Sequence, residues 1–355
     1  MTPLSRQGVS SPTIDEALSI AMPLLQGYGD AMVVYGLIRT KLADALVDEG
    51  LAAADIESAS SLAYPRAVLT GLLRYAVRAG FAVRRGDRLE ASDKLRACTK
   101  AAGWFRMLVG GYGPTLLSMA ESAAPATHPA QPGTLSVTRN LDEVQAGSCL
   151  ISHHGAFVVI CDMLERLPTS DRQIVVDIGC GDGSLEGYIR RRGVPFRYVG
   201  LEDPRFSRLQ SSRQAHGAHK QSSVQSSVDD YLGGLPAQDR CVVVLSFVLH
   251  EIIAQQGEPA LRELLYAFAR DERVAALIVV EVDLASNEPR LRDSAAGLGY
   301  YNLYYLLHDI TPQRLMPCAF WESVFRDCGF IVNSIERMPD EVDPMKLEVA
   351  FLLVK

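Results

Sequence analysis

The sequence predicts an α/β protein in which a mainly helical first half precedes a doubly wound, parallel sheet. Three observations carry this reading. Ile174-Val175-Val176, Tyr198-Val199-Gly200-Leu201, Cys241-Val242-Val243-Val244-Leu245 and Ala276-Leu277-Ile278-Val279-Val280 are continuous apolar runs. Runs without polar alternation suit strands covered on both faces, as in a sheet flanked by helices. In the first half, apolar residues instead recur three and four apart, in Ala17-Leu18-Ile20-Ala21-Leu24-Leu25 and in Met32-Val33-Tyr35-Gly36-Ile38. That is the helical period. Finally, glycines at 179, 181 and 183 follow the first apolar run, where a strand must turn sharply into a helix.

A chain of 355 residues exceeds the usual size of one domain, so two are expected. The pattern changes at Pro168, which places them at 1–167 and 168–355. Within the first, Pro65 opens an amphipathic helix over Ala67 to Gly80. Phe81-Ala82-Val83 and Arg88-Leu89-Glu90-Ala91 read as short strands joined by the Arg85-Gly86-Asp87 turn. Helices followed by a small hairpin suggest a winged helix. The Pro/Ala-rich stretch Ala123 to Gly133 cannot be a helix interior and reads as a loop. A further helix, roughly Leu150 to Leu167, leads into the sheet.

Hydrophobic residues make up 48% and charged residues 22% of the chain, the balance of a folded protein rather than a disordered one. From Arg66 to Lys100 there are nine Lys or Arg against three acids. A DNA-binding protein with a sensor domain is therefore one reading. The net charge of −7 and the lack of interleaved aromatics favour a solvated face and no nucleic-acid partner. Seven scattered cysteines without a C-x-x-C pair read as reduced thiols. The polar stretch Met1 to Pro12 lacks a signal-peptide core, and no apolar run is expected to cross a bilayer. A cytoplasmic protein without a membrane partner is expected.

The loop Asp177-Ile178-Gly179-Cys180-Gly181-Asp182-Gly183 is the sharpest motif. A Gly-rich turn alone is a weak signal, but Asp177 at the strand end would repel a dinucleotide pyrophosphate. It suits the methionine ammonium or ribose hydroxyls of S-adenosylmethionine. Glu202, nineteen positions after Gly183, falls where a carboxylate can accept both ribose hydroxyls. Asp229-Asp230-Tyr231 falls where an acid can meet the adenine amino group and a ring can lie against the base, with Asp230 preferred. The expected cofactor contacts are thus Asp177, Gly179, Gly181, Glu202, Asp229, Asp230 and Tyr231, with Ser246 at the end of the third apolar run.

The Asp-x-Gly-x-Gly-x-Gly pattern and the downstream Glu resemble the class I methyltransferase signature. With the helical first half, the chain from about Ala17 to Lys355 resembles small-molecule O-methyltransferases, which dimerise through their amino-terminal domain. The resemblance therefore implies a Rossmann-like methyltransferase domain and a homodimer. Where those enzymes carry His-Asp-Trp, this sequence has His250-Glu251-Ile252. A His at a strand's carboxyl end beside a cofactor crevice is a candidate general base. A second departure is His308, in Tyr304-Tyr305-Leu306-Leu307-His308. In this the sequence resembles bacterial 2-oxo acid C-methyltransferases of nonribosomal-peptide pathways, which make β-methylated amino acids and hold a divalent metal or iron ion on two histidines.

That resemblance implies His250 and His308 as catalytic metal ligands, with Glu251 available to complete a two-His, one-carboxylate face. It implies methylation at C3 of a 2-oxo acid through a metal-chelated enolate, since a neutral C–H is a poor nucleophile. Among such acids, 5-guanidino-2-oxopentanoate is preferred on the resemblance alone, with phenylpyruvate or a branched alkyl acid open. His154 and Glu281 are candidate bases. Trp104 and Arg139 are candidate substrate contacts. The alternative is a metal-free O-methyltransferase in which His250 is the base.

Overall fold

The computed structural model describes residues 13–122, 139–168, 173–201, 232, 234–236, 239–285, 289–311 and 313–355. They fall into two compact units, Met1–Val109 and Gly110–Lys355. The division lies earlier than the 167/168 boundary expected from the change of pattern, because the two helices before Pro168 pack with the sheet. The expected loop from Ala123 to Gly133 lies outside the described residues.

The first unit opens with helix α1, Ile14–Arg39. The Thr13 hydroxyl accepts the Glu16 N–H while the Glu16 carboxylate accepts the Thr13 N–H at 2.7 Å, a capping box that satisfies two donors at the helix start. After α2 (Leu42–Asp48) and the short α3 (Ile56–Ala59), α4 (Arg66–Arg78) begins behind Pro65 as expected. The hairpin is present: β2 (Ala82–Arg85) pairs with β3 (Arg88–Ala91), and Gly86 turns with φ +62°. Leu51–Ala52, β1, adds a third antiparallel strand beside β3. Leu37, Leu42, Leu46, Leu69, Phe81 and Leu95 fill this unit's core. Several cations of the basic stretch are engaged locally: Arg66 with Glu57, Arg85 with Glu90, and Lys94 with Asp30.

One expectation is corrected here. Helix α1 is 26 residues long and, by length and composition alone, apolar enough to cross a membrane. Its apolar residues are spread around the helix, so no periodic stripe hides their number. Only Val34 and Leu37 are buried, whereas Ile14, Ile20, Leu24, Leu25 and Tyr28 are more than half exposed.

In the second unit, α8 (Leu141–Ser152) and α9 (Ala156–Arg166) replace the single helix expected from Leu150 to Leu167, with a break at 153–155. Strands β4 (Gln173–Ile178), β5 (Arg197–Leu201), β6 (Arg240–Ser246) and β7 (Val274–Val282) are the four apolar runs, all parallel. The sequence reading missed β8 (Ile331–Arg337) and β9 (Glu348–Val354), which add an antiparallel pair beside β7. The sheet order is β5-β4-β6-β7-β9-β8. Both faces are covered: α9 and α10 (Ser184–Arg192) pack on one, α11 (Leu249–Arg270) and Cys318–Asp327 on the other. The carboxyl ends of β4, β6 and β7 therefore present Asp177, Ser246 and Glu281 along one edge, which in open α/β sheets is where ligands sit.

Candidate active site

The glycine loop is built as its residue types require. Gly179, Gly181 and Gly183 have φ of +73°, +59° and +75°, left-handed values that cost any other residue roughly 1–2 kcal/mol. Two of them are also approached closely. A Cβ on Gly179 would lie 2.6 Å from Val248 Cγ2, and one on Gly181 would lie 2.9 Å from Gln145 Nε2 of α8. Gly183 has open space and serves as the first residue before α10. Asp177 is 3% exposed, and its Oδ2 accepts the Tyr198 hydroxyl at 2.6 Å. That hydroxyl is pushed well above its ordinary pKa by burial and then by the Asp177 charge, so it remains a donor. Glu202, Asp229, Asp230 and Tyr231 lie outside the described residues.

Beside the loop, Phe247 takes a left-handed φ of +59° between the end of β6 and α11, a turn that brings Val248 over Gly179 and starts the helix at Leu249, with His250 its second residue. Glu281, fully buried, organises that helix start. Its Oε1 accepts the Leu249 N–H at 2.7 Å, and its Oε2 accepts from His250 Nδ1 at 2.8 Å. An acid among helix N-terminal amides is favourable in itself. It also fixes the tautomer, leaving a lone pair on His250 Nε2. Gln313 Nε2 lies 3.4 Å from that atom.

His308, on the helix Asn302–Ile310, is arranged the same way by a different partner. Its Nδ1 lies 2.8 Å from the Tyr304 carbonyl oxygen, which can only accept, so Nδ1 carries the proton and Nε2 the lone pair. That Nε2 is buried and has no hydrogen-bond partner among the described residues. The two imidazole centroids are 5.4 Å apart. Burial, and then the neighbouring His250 charge, hold His308 down to about 3. It is thus neutral at any working pH. Burial also pulls His250 down, but the charge and hydrogen bond of Glu281 outweigh it and leave the ring above its ordinary value.

The expected third ligand is otherwise engaged. Glu251 Oε1 accepts from Arg139 and from Gln313 Nε2, each at 2.9 Å. Among the described residues no group of three or more His, Cys, Asp or Glu side chains forms a metal site. The two-His, one-carboxylate face is therefore not formed, because a guanidinium and an amide hold the carboxylate. Two imidazole lone pairs, each fixed through its other nitrogen, nevertheless fit a divalent metal or iron ion.

Arg139 thus adjoins the histidines, whereas Trp104 ends a short helix of the first unit, Ala102–Trp104. Ser246 closes β6, half-buried. Of the two candidate bases, His154 is exposed in the turn before α9, and Glu281 is the partner of His250. Sequence reasoning missed Tyr112, whose hydroxyl donates to Gln313 Oε1 at 3.0 Å, and Gln313 and Tyr198. Glu281 did carry a signal, being the single polar residue in the strand Val-Ala-Ala-Leu-Ile-Val-Val-Glu-Val.

No family model matches the chain. Over 343 residues, 94% of the chain and 95% of the relative, it is 30% identical to a 2-ketoarginine methyltransferase of Streptomyces arginensis. Among solved structures it is similar to human N-acetylserotonin methyltransferase in complex with S-adenosylmethionine, with a TM-score of 0.60 and 15% identity over 98% of the chain and 99% of that one. A Burkholderia thailandensis O-methyltransferase family protein matches with a TM-score of 0.57 and 13% identity, covering 98% of this chain and 99% of that one. These structural likenesses establish the fold, and the sequence relative establishes the family. The chain belongs to the family of the 2-ketoarginine methyltransferase, S-adenosylmethionine-dependent methyltransferases with the class I O-methyltransferase-like fold.

Proposed function

We propose that the chain transfers a methyl group from S-adenosylmethionine to C3 of a 2-oxo acid, with 5-guanidino-2-oxopentanoate the preferred substrate, on the way to a β-methyl amino acid of a peptide natural product. The observation that carries this is the histidine pair: both rings are tied through Nδ1, and His308 Nε2 is buried with no hydrogen-bond partner among the described residues. A metal-free hydroxyl methyltransferase needs only one such ring. A divalent metal or iron ion, which His250 and His308 would hold, would supply Lewis acidity that lowers the pKa at C3 of the substrate.

The chain's own residues do the rest. Glu281 holds His250 in the required tautomer, and the Tyr304 carbonyl does so for His308. Arg139 and Gln313 fix Glu251 beside the pair as an outer carboxylate. The glycine loop and Asp177, with Tyr198 orienting the carboxylate, hold the cofactor at the ends of β4 and β6. Orientation of both reactants supplies a large part of the rate. The first unit is read as the dimerisation domain of a cytoplasmic homodimer.

The rival reading keeps His250 as a general base oriented by Glu281, an arrangement that serves hydroxyl methylation. Metal analysis and product structure decide between them. The expected outcome is about one metal ion per chain, a new C3 methyl in the product, and loss of both in His308→Ala with cofactor affinity kept. Full C-methylation by metal-depleted enzyme, or a His308→Ala variant with full metal and activity, would overturn the proposal in favour of the hydroxyl reading.

A further inference from the structure

The same edge of the sheet carries a second acidic feature that the chemistry above leaves unused. Strand β9 opens with Glu348, in register with Val282 at the end of β7, one position beyond Glu281. Its side chain is 4% exposed, and its Oε2 has no hydrogen-bond partner among the described residues. The neighbouring carboxylate is fully committed. Asp343 Oδ1 accepts the Tyr301 hydroxyl at 2.6 Å and the Met345 N–H, while Oδ2 accepts the Glu348 N–H at 2.7 Å. Cations nearby in sequence are turned elsewhere, Lys346 to Asp340 and Arg337 to Asp283. At Gly155, where a Cβ would come to 3.7 Å of Oε2, the other close neighbours are the apolar side chains of Val342 and Met338, at 3.3 and 3.7 Å, and neither is a donor.

A buried carboxyl with no donor is costly to keep, and one at a ligand-binding edge is a binding-site candidate. Burial, and then the Asp343 charge, push it up to about 8, so in the ligand-free protein it lacks a compensating cation. Aromatic rings connect it with the histidines. The Tyr304 ring lies 4.1 Å from the His308 ring, centroid to centroid. Tyr300 packs against Tyr301 and Tyr304 at 4.7 and 5.5 Å, and the Tyr301 hydroxyl donates to Asp343, the carboxylate that accepts the Glu348 N–H. A buried carboxyl group without a donor beside Oε2, protonated in the ligand-free protein and able to ionise against an incoming cation, is the chemistry that recognises a guanidinium.

We propose that Glu348 is the specificity-determining residue that receives the cationic end of a basic 2-oxo acid, whose oxo-acid end lies at His250 and His308. This rests on the 2-oxo acid reading above and adds to it the reason for a basic side chain. A guanidinium there turns the carboxyl group into the partner of a charge-assisted bond, which an uncharged chain cannot form.

The test compares 5-guanidino-2-oxopentanoate with the uncharged 2-oxohexanoate, in metal-loaded wild type and in Glu348→Gln. Wild type should prefer the guanidino acid in kcat/KM. In the variant the ratio of the two kcat/KM values should fall by about 30-fold or more, the lower end for truncating one side of a buried charge pair. Isosteric replacement and unchanged S-adenosylmethionine binding by calorimetry separate this from misfolding. If wild type methylates both acids without preference, or if the variant lowers both alike, the assignment of Glu348 fails while the 2-oxo acid reading stands. If wild type methylates neither, that reading itself fails and takes the assignment with it.

Discussion

Glu281 and Glu348 are both buried acids at the ends of neighbouring strands, yet their surroundings give them opposite characters. Glu281 accepts two backbone amides and an imidazole, so its charge is fully used. Glu348 Oε2 has no hydrogen-bond donor among the described residues, and its folded-state pKa of about 8 stands above the ordinary 4.5. Between those two values the unfolded chain has lost the Glu348 proton and the folded chain retains it. Fewer protons bound in the unfolded state means that stability falls as pH rises through this window and levels off above it. Glu348→Gln removes that dependence. The melting temperature of the variant relative to wild type should therefore rise steadily from about pH 5 to about pH 8. Parallel melting profiles across that range would show that Glu348 already has a partner for its charge. At this scale the histidines could be singled out in the sequence, His250 because it keeps the His of a recognisable pattern and His308 because it departs from that pattern. Gln313, Tyr112 and Tyr198 were not, because an isolated amide or phenol has no local signal until the fold brings its partner near.

At the scale of elements, the turn from β4 into α10 was readable because its constraint is local: three left-handed residues need glycine. What surrounds the turn is not local. Val248 arrives from the start of α11 and Gln145 from α8; Gly179 is thus required twice over, by backbone and by space, whereas the flexible end of Gln145 can yield at Gly181. This orders two substitutions. Gly183→Ala faces only the backbone cost of about 1 kcal/mol, whereas Gly179→Ala also drives a methyl into Val248. S-adenosylmethionine affinity should fall roughly tenfold or more for Gly179→Ala and distinctly less for Gly183→Ala, and Val248→Ala should restore part of the former. Calorimetric titration of the three variants reads this directly; equal losses at both glycines would refute the close approach of Val248. Strands β8 and β9 show the opposite case. Glu348–Val354 is as apolar as the four recognised runs, but no helix-length segment separates it from β8 in the manner of a crossover, and its antiparallel place beside β7 is a long-range pairing.

For the whole molecule, the uncovered apolar surface of α1 is the largest departure from what an isolated chain should show. Ile14, Ile20, Leu24 and Leu25 are each more than 60% exposed, an exposure that marks an interaction surface. Sedimentation at micromolar concentration should give a homodimer, and Ile20→Glu with Leu24→Glu should shift it to monomer; a monomeric wild type would leave α1 to another partner. What the sequence settles locally is the alternation of strands and helices after Pro168, the glycine turn and the hairpin. Each depends on residues within a few positions of one another, where backbone sterics and periodicity act directly. Tertiary structure alone decided where the compact units divide, that β9 and β8 complete the sheet, that Glu281 rather than a metal-facing Glu251 attends His250, and that Glu348 lies bare at the same edge. Those outcomes join residues 31, 62 and 112 positions apart, and only the packing of the sheet against its helices brings such partners within reach.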